Sequence, residues 1–117
     1  MAFKFENLRV WQRALVLTGD IDELTKTFPS DERFILTSQI KRATDSICLN
    51  IAEGSTGQSN KEFAKFLGYA QRSGIEVISC LYVGQRRSII SEQDFDRFYK
   101  EVEEIIVMIQ ALKKGLR

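Results

Sequence analysis

Proline occurs once in this chain of 117 residues, at position 29, between two strongly periodic stretches. Proline lacks an N–H and disfavours helix in the residue before it, so a chain this poor in it can sustain long uninterrupted helices. Only two further interruptions stand out, the glycine-containing loop at 54–58 and the short stretch before Ser91. The chain therefore divides into four long segments.

Each segment has a helical period. Segment one runs from about Leu8 to Phe28, with Asn7 as its expected N-cap, and Trp11, Ala14, Leu15, Thr18, Ile21, Leu24 and Phe28 recur at three- and four-residue steps. Segment two opens at Ser30-Asp31-Glu32, a cap followed by acids that suit the positive end of a helix. It carries Leu36, Ile40, Ala43, Ile47 and Ile51 in phase and ends at Gly54. Segment three opens with Ser59 and Glu62, the two halves of a capping box. Its stripe is Phe63, Phe66, Leu67, Ala70, Gly74, Val77, Ile78 and Leu81. Segment four follows Ser91 and is lined by Phe95, Phe98, Tyr99, Val102, Ile105, Ile106, Ile109, Leu112 and Leu116. Strand signals are nearly absent. Four helices with short connections predict an all-α fold, an antiparallel up-down-up-down four-helix bundle, as a single domain over residues 1–117.

Apolar residues exceed what one core stripe needs. Segment four adds Val107, Met108 and Ala111 beside its stripe, and segment three adds Tyr69, Ile75, Cys80, Tyr82 and Val83. Segment three also holds Ala64, Gly68, Ser73 and Gly74, small residues where another backbone can approach closely. A glycine inside a helix costs about 1 kcal/mol relative to alanine, so two of them call for a packing reason. The surplus predicts a second buried face used for self-association.

Histidine is absent, which excludes imidazole-based triads and histidine-containing zinc or iron sites. Helix-bundle carboxylate metal sites need paired Glu-x-x-His motifs, so Glu53, Glu62 and Glu76 do not form one. Glu62 is expected to cap its helix, Glu76 to pair with Arg42 or Arg72, and Asn50 to act as a buried hydrogen bonder that fixes register. The Gly54-Ser-Thr-Gly loop lacks the GK[ST] of a phosphate-binding loop and reads as a tight turn. Cys48 and Cys80 have neither metal-ligand nor redox spacing and read as small buried hydrophobes. Trp11 lies in phase with the core. No nucleophile–base pair can be assembled, so the chain reads as a non-enzyme without catalytic residues, cofactor, metal or small-molecule substrate. No run approaches the ~18 apolar residues of a membrane span, and the N-terminus lacks a signal-peptide pattern, so a cytoplasmic location without membrane association is expected.

The net charge of +1 conceals an uneven distribution. Segment three carries five basic and two acidic residues, while each other segment is nearly balanced. This excess is a solvated face or a phosphate-contacting strip that an oligomer would multiply.

FENLRVWQRA at 5–14, FPSDERFILTSQIKRATDSI at 28–47, NIAEG at 50–54 and SNKEFAKFL at 59–67 resemble the four-helix-bundle proteins encoded in bacterial 23S rRNA intervening sequences. Ser73, Glu76 and the terminal SEQDFDRFYKEVEEIIVMIQAL fit the same pattern, so the resemblance covers essentially the whole chain. It implies an antiparallel bundle assembling as a homopentamer, but not a structural component of the ribosome. A related branch, the accessory proteins of diversity-generating retroelements, consists of pentameric barrels with a basic surface that associate with reverse transcriptase and nucleic acid. Two departures stand out: Thr56-Gly57-Gln58 replaces the basic residues common before the third helix, and Cys48-Leu49 stands where Pro-Ser is frequent. The first removes one expected RNA contact and leaves Arg9, Arg13, Lys41, Arg42, Lys61 and Lys65 as the candidates for nucleic acid. A non-enzymatic homo-oligomeric scaffold that associates with RNA or a ribonucleoprotein follows from the resemblance. The alternative is a protein–protein interaction scaffold with no nucleic-acid role.

Overall fold

The four periodic segments form four helices: α1 Arg9–Thr25, α2 Leu36–Ser55, α3 Asn60–Arg86 and α4 Glu92–Lys114. Short 3-10 turns at Lys4–Asn7 and Ser30–Glu32 precede α1 and α2. The computed structural model describes residues 3–57 and 59–116, so Gln58 of the loop before α3 lies outside the described residues. No strand occurs among the described residues.

Side-chain pairings set the topology. Gly54 of α2 lies against Phe63 and Phe66 of α3, Ser46 against Ser73, and Leu36 against Gly84, so α2 and α3 are antiparallel. Gly74 meets Ile106 and Tyr82 meets Phe95, which makes α3 and α4 antiparallel. Asp20–Arg97 and Arg13–Glu104 do the same for α1 and α4. The result is the expected antiparallel four-helix bundle, 43 Å long.

The core stripe of α2 is as expected, with Leu36, Ile40, Ala43, Ile47 and Ile51 all buried. Of the first stripe expected, Ala14, Ile21, Leu24 and Phe28 are buried and Trp11 packs against the core, but Val10 and Leu17 are buried in place of Leu15, which is 48% exposed. Apolar residues stand on two neighbouring faces of this helix, and periodicity alone misplaced one edge of the stripe. In α3, Cys80 is buried with the core rather than on the second face. Apolar side chains do stand outside the core, since Tyr69, Ile75 and Tyr82 of α3 and Val107 of α4 are exposed.

Helix ends differ from expectation in α1 and α2. Leu8, not Asn7, is the N-cap of α1, without a side-chain cap bond, and Asn7 closes the preceding turn. Ser30-Asp31-Glu32 forms a turn of its own, and α2 starts at Leu36, whose N–H donates to Glu32 Oε1 at 3.3 Å. Ser59 and Ser91 cap α3 and α4, with Ser59 Oγ accepting from Glu62 N–H and Ser91 Oγ from Asp94 N–H, both at 3.1 Å. The reciprocal Glu62 bond of the expected capping box is not formed among the described residues. At the α3–α4 turn Ser88 adopts a left-handed φ of 59°, and Ile90 folds back onto Gly84.

Two glycines let α3 approach its neighbours. A Cβ on Gly54 would lie 2.5 Å from Phe66 Cβ, and one on Gly74 would lie 2.9 Å from Ile106 Cγ1. The Gly54 neighbour is anchored directly to the α3 backbone, so the helices would have to separate. Gly19, by contrast, faces open space, with nothing within 4 Å of where a Cβ would stand.

These two sites make a paired prediction. Gly54→Ala gains about 1 kcal/mol of helix propensity but incurs an overlap of about 1–3 kcal/mol, so a net loss of stability is expected. Gly19→Ala keeps the propensity gain without overlap and is expected to stabilise by up to about 1 kcal/mol. Urea unfolding of both variants measures the two signs.

Candidate nucleic-acid interface

Antiparallel packing decides which candidate cations can act together. The starts of α1 and α3 share one pole of the bundle with the ends of α2 and α4. Arg9, Arg13, Lys61 and Lys65 therefore belong to one half of the molecule, and Lys41 and Arg42 to the other. At 1.5 Å per residue, Lys41 stands roughly 20 Å along α2 from the pole that carries Lys61. The six residues do not form one site.

Arg13 is committed to the fold. Its Nε and Nη2 donate to Glu101 Oε1 and Oε2 at 3.0 and 2.8 Å, and Nη2 also donates to Glu104 Oε1 at 3.3 Å. Its side chain is only 27% exposed. The Glu101 hydrogen bonds hold its pKa above the usual value, against the opposing effect of burial. This bidentate pair bridges α1 and α4. Lys41 Nζ lies 3.0 Å from Asp22 Oδ1, and that hydrogen bond and charge hold the Asp22 carboxyl below its ordinary pKa. Arg42 is exposed in a shallow groove of about 790 Å³ along the outer face of α2, beside Phe34, Asp45, Leu49 and Glu53. Arg9, Lys61 and Lys65 are exposed and take part in no ion pair among the described residues.

Lys4, Lys113 and Lys114 were not among the candidates yet belong to the same pole. Lys4 Nζ sits 5.0 Å from the Phe63 ring centroid, and Lys113 Nζ is 3.5 Å from a Cβ position on Gly68. The signal for them was the antiparallel order itself, which brings the turn before α1 and the end of α4 beside the start of α3.

The proposed structural residues lie mainly on the α2–α3 seam. Asn50 Nδ2 donates to the Ser46 carbonyl and to Ser46 Oγ, both at 2.9 Å, and Ser73 Oγ donates to Ser46 Oγ at 2.9 Å. Asn50 is half-buried, so it bonds within its own helix and reaches α3 through Ser46. Glu76 pairs with Gln39 Nε2, not with Arg42 or Arg72, because Gln39 stands opposite it across the seam. Glu53 is exposed, with its carbonyl closing the turn to Thr56.

Cys48 and Cys80 are free and buried. Burial, and secondarily the charge of Glu76, pushes the Cys80 thiol up to about 11, while burial and Asp45 raise that of Cys48. Neither is a nucleophile near neutral pH. No group of three or more His, Cys, Asp or Glu is placed to hold a metal ion among the described residues, and no helix there is long and apolar enough to cross a membrane.

The family model described as 23S rRNA-intervening sequence protein matches residues 6–111. A crystal structure of a protein of unknown function from the S23 ribosomal protein family of Bacteroides thetaiotaomicron superposes with a TM-score of 0.85 at 24% identity. That match covers 91% of this chain and 96% of the other. A comparison with curated proteins gives no match.

The site geometry generates two predictions. Arg13→Ala is expected to destabilise the fold by about 1–2 kcal/mol, since it removes charge-assisted hydrogen bonds from a half-buried pair. Lys61→Ala should stay within about 0.5 kcal/mol of the parent in the same urea titration. Both cysteines are expected to resist a thiol-specific reagent at pH 8 in the native protein and to react fully in denaturant. Rapid native labelling would contradict the raised thiol pKa and the burial together.

Proposed function

The chain belongs to the family of 23S rRNA-intervening sequence proteins, and from that premise we propose that it is a non-enzymatic helical scaffold that works as a homo-oligomer of five copies. In this reading the assembly associates with RNA or a ribonucleoprotein in the cytoplasm. The observation that carries self-association is the apolar surface outside the bundle core. Phe34, just before α2, is 83% exposed and Leu49 on α2 is 65% exposed, and Val16, Ile75, Tyr82 and Val107 are exposed on the other helices. Full burial of one such side chain contributes about 1.5–3 kcal/mol. A closed ring of identical copies needs two different complementary patches on each copy. Exposed apolar side chains on several helices support that reading.

A second reading, a protein-interaction scaffold without a nucleic-acid role, is favoured by the mixed-sign groove on α2. There Lys41 and Arg42 stand beside Asp45 and Glu53, a pattern suited to a protein surface as much as to phosphate.

Light scattering at micromolar concentration should give a mass several times 13.5 kDa, and Phe34→Glu should shift it toward the monomer. A monomeric parent protein would remove the basis for the assembly. Filter binding to a structured RNA should weaken as salt rises, because phosphate contacts release counterions. Absence of binding at low salt, together with recovery of one reproducible protein partner from nuclease-treated lysate, would favour the second reading.

A further inference from the structure

Charge is distributed asymmetrically along the bundle axis. The half nearest the pole where α1 and α3 begin (residues 3–17, 46–73 and 104–116) carries eight Lys and Arg against four Asp and Glu. The other half, residues 18–45 and 74–103, carries eight against twelve. Ion pairing sharpens the difference. Among the described residues, the only cation of the basic half in an ion pair is Arg13, whereas Lys26, Lys41, Arg87 and Arg97 of the other half are all paired. The basic half therefore carries a formal excess of four cations, most of them without an ion-pair partner among the described residues.

The same pole carries aromatic rings. Phe3 is 51% exposed and stacks on Phe5 with centroids 5.9 Å apart and planes 13° apart. Phe5 in turn meets Trp11 edge-on at 4.8 Å. Local bonds hold the outer ring in place: the Phe3 N–H donates to Glu6 Oε2 at 2.8 Å, and Gln12 Nε2 donates to the Glu6 carbonyl at 2.8 Å. An exposed ring in the same half as cations without ion pairs suits a strand whose bases are free to stack, whereas the bases of a duplex are already stacked on each other.

We infer that this pole is a binding surface for single-stranded RNA, with Arg9, Lys61 and Lys65 on the phosphates and the Phe3 ring as a stacking platform. The inference rests on the RNA-association reading above and assigns that association to one end of the molecule. Side-by-side assembly through the flanks of the helices leaves this end open and repeats it in every copy.

The test is fluorescence anisotropy of the full-length protein with a labelled 20-nucleotide oligouridylate and with a blunt RNA duplex of the same length, over a salt series. The single strand should bind more tightly. Lys61→Gln combined with Lys65→Gln should weaken it about tenfold and make the salt slope shallower by about 1.4, the value for two lost single-strand phosphate contacts. Phe3→Ala should cost about fivefold or more on the single strand and nothing on the duplex, and Phe3→Trp should restore binding. Unchanged unfolding midpoints confirm that the lysine variants are folded. Binding lost through Lys41→Gln with Arg42→Gln, but not through Lys61 and Lys65, would overturn the polar assignment while leaving RNA association standing. Equal binding of the duplex would overturn the single-strand assignment. No binding of either probe by the parent protein at about 50 mM salt, where phosphate-mediated binding is strong, would overturn both readings.

Discussion

Everything else in the bundle depends on how closely α2 and α3 approach. At Gly54 the α3 side chain Phe66 occupies the space a methyl group would need, and at Gly74 the same helix receives Ile106 from α4. Polar side chains also pair along the α2–α3 seam: Ser46 meets Ser73, Asn50 supports Ser46, and Gln39 meets Glu76. Packed glycines fix the separation of two helices, and paired hydroxyls and amides fix their axial register, because a slip by one turn would leave those groups without partners. With α2 and α3 locked, α1 and α4 have only one groove each in which to bury Leu17, Ile21, Val102, Ile105 and Ile109.

The α1–α4 edge is built differently. Here long charged side chains span the gap, with Arg13 reaching Glu101 and Glu104 and Arg97 reaching Asp20. The Arg13 pair is half-buried and bidentate, so it positions α4 more firmly than the more exposed Arg97 pair, whose contribution water and salt diminish. One bundle thus uses two chemistries, close backbone approach on one side and charge-assisted bridging on the other.

This contrast explains what the sequence disclosed. The stripes of α2 and most of α3 were legible because Gly54, Ser59 and a single dominant apolar face agree. One edge of the α1 stripe was not, because Leu15 and Thr18 continue from Trp11 as regularly as Leu17 continues from Val10 and Ala14. Only contact with neighbouring helices decides between them, through the burial of Leu17 and the exposure of Leu15. Candidate cations suffered a similar ambiguity. Nothing local distinguishes Arg13 from Arg9 or Lys65, since the carboxylates that engage Arg13 lie 88 and 91 residues further along the chain. Likewise, Gln39 and Glu76 are 37 residues apart, beyond the reach of any periodicity rule.

A near-neutral net charge is therefore a poor guide to the charge that each end of this molecule presents. Reversing direction at each loop brings Lys4, Lys61, Lys65 and Lys113 to one pole while much of the acid lies toward the other, so the charges cancel in sum but not in space. A phosphate within one Debye length, about 8 Å at physiological salt, responds to the cations and acids of the near half and scarcely to the twelve acids of the other half of a 43 Å bundle. Lateral assembly would not dilute this field, because copies joined along their flanks can align their poles. Such an array would place several weak surfaces on one strand, raising effective concentration without tightening any single contact.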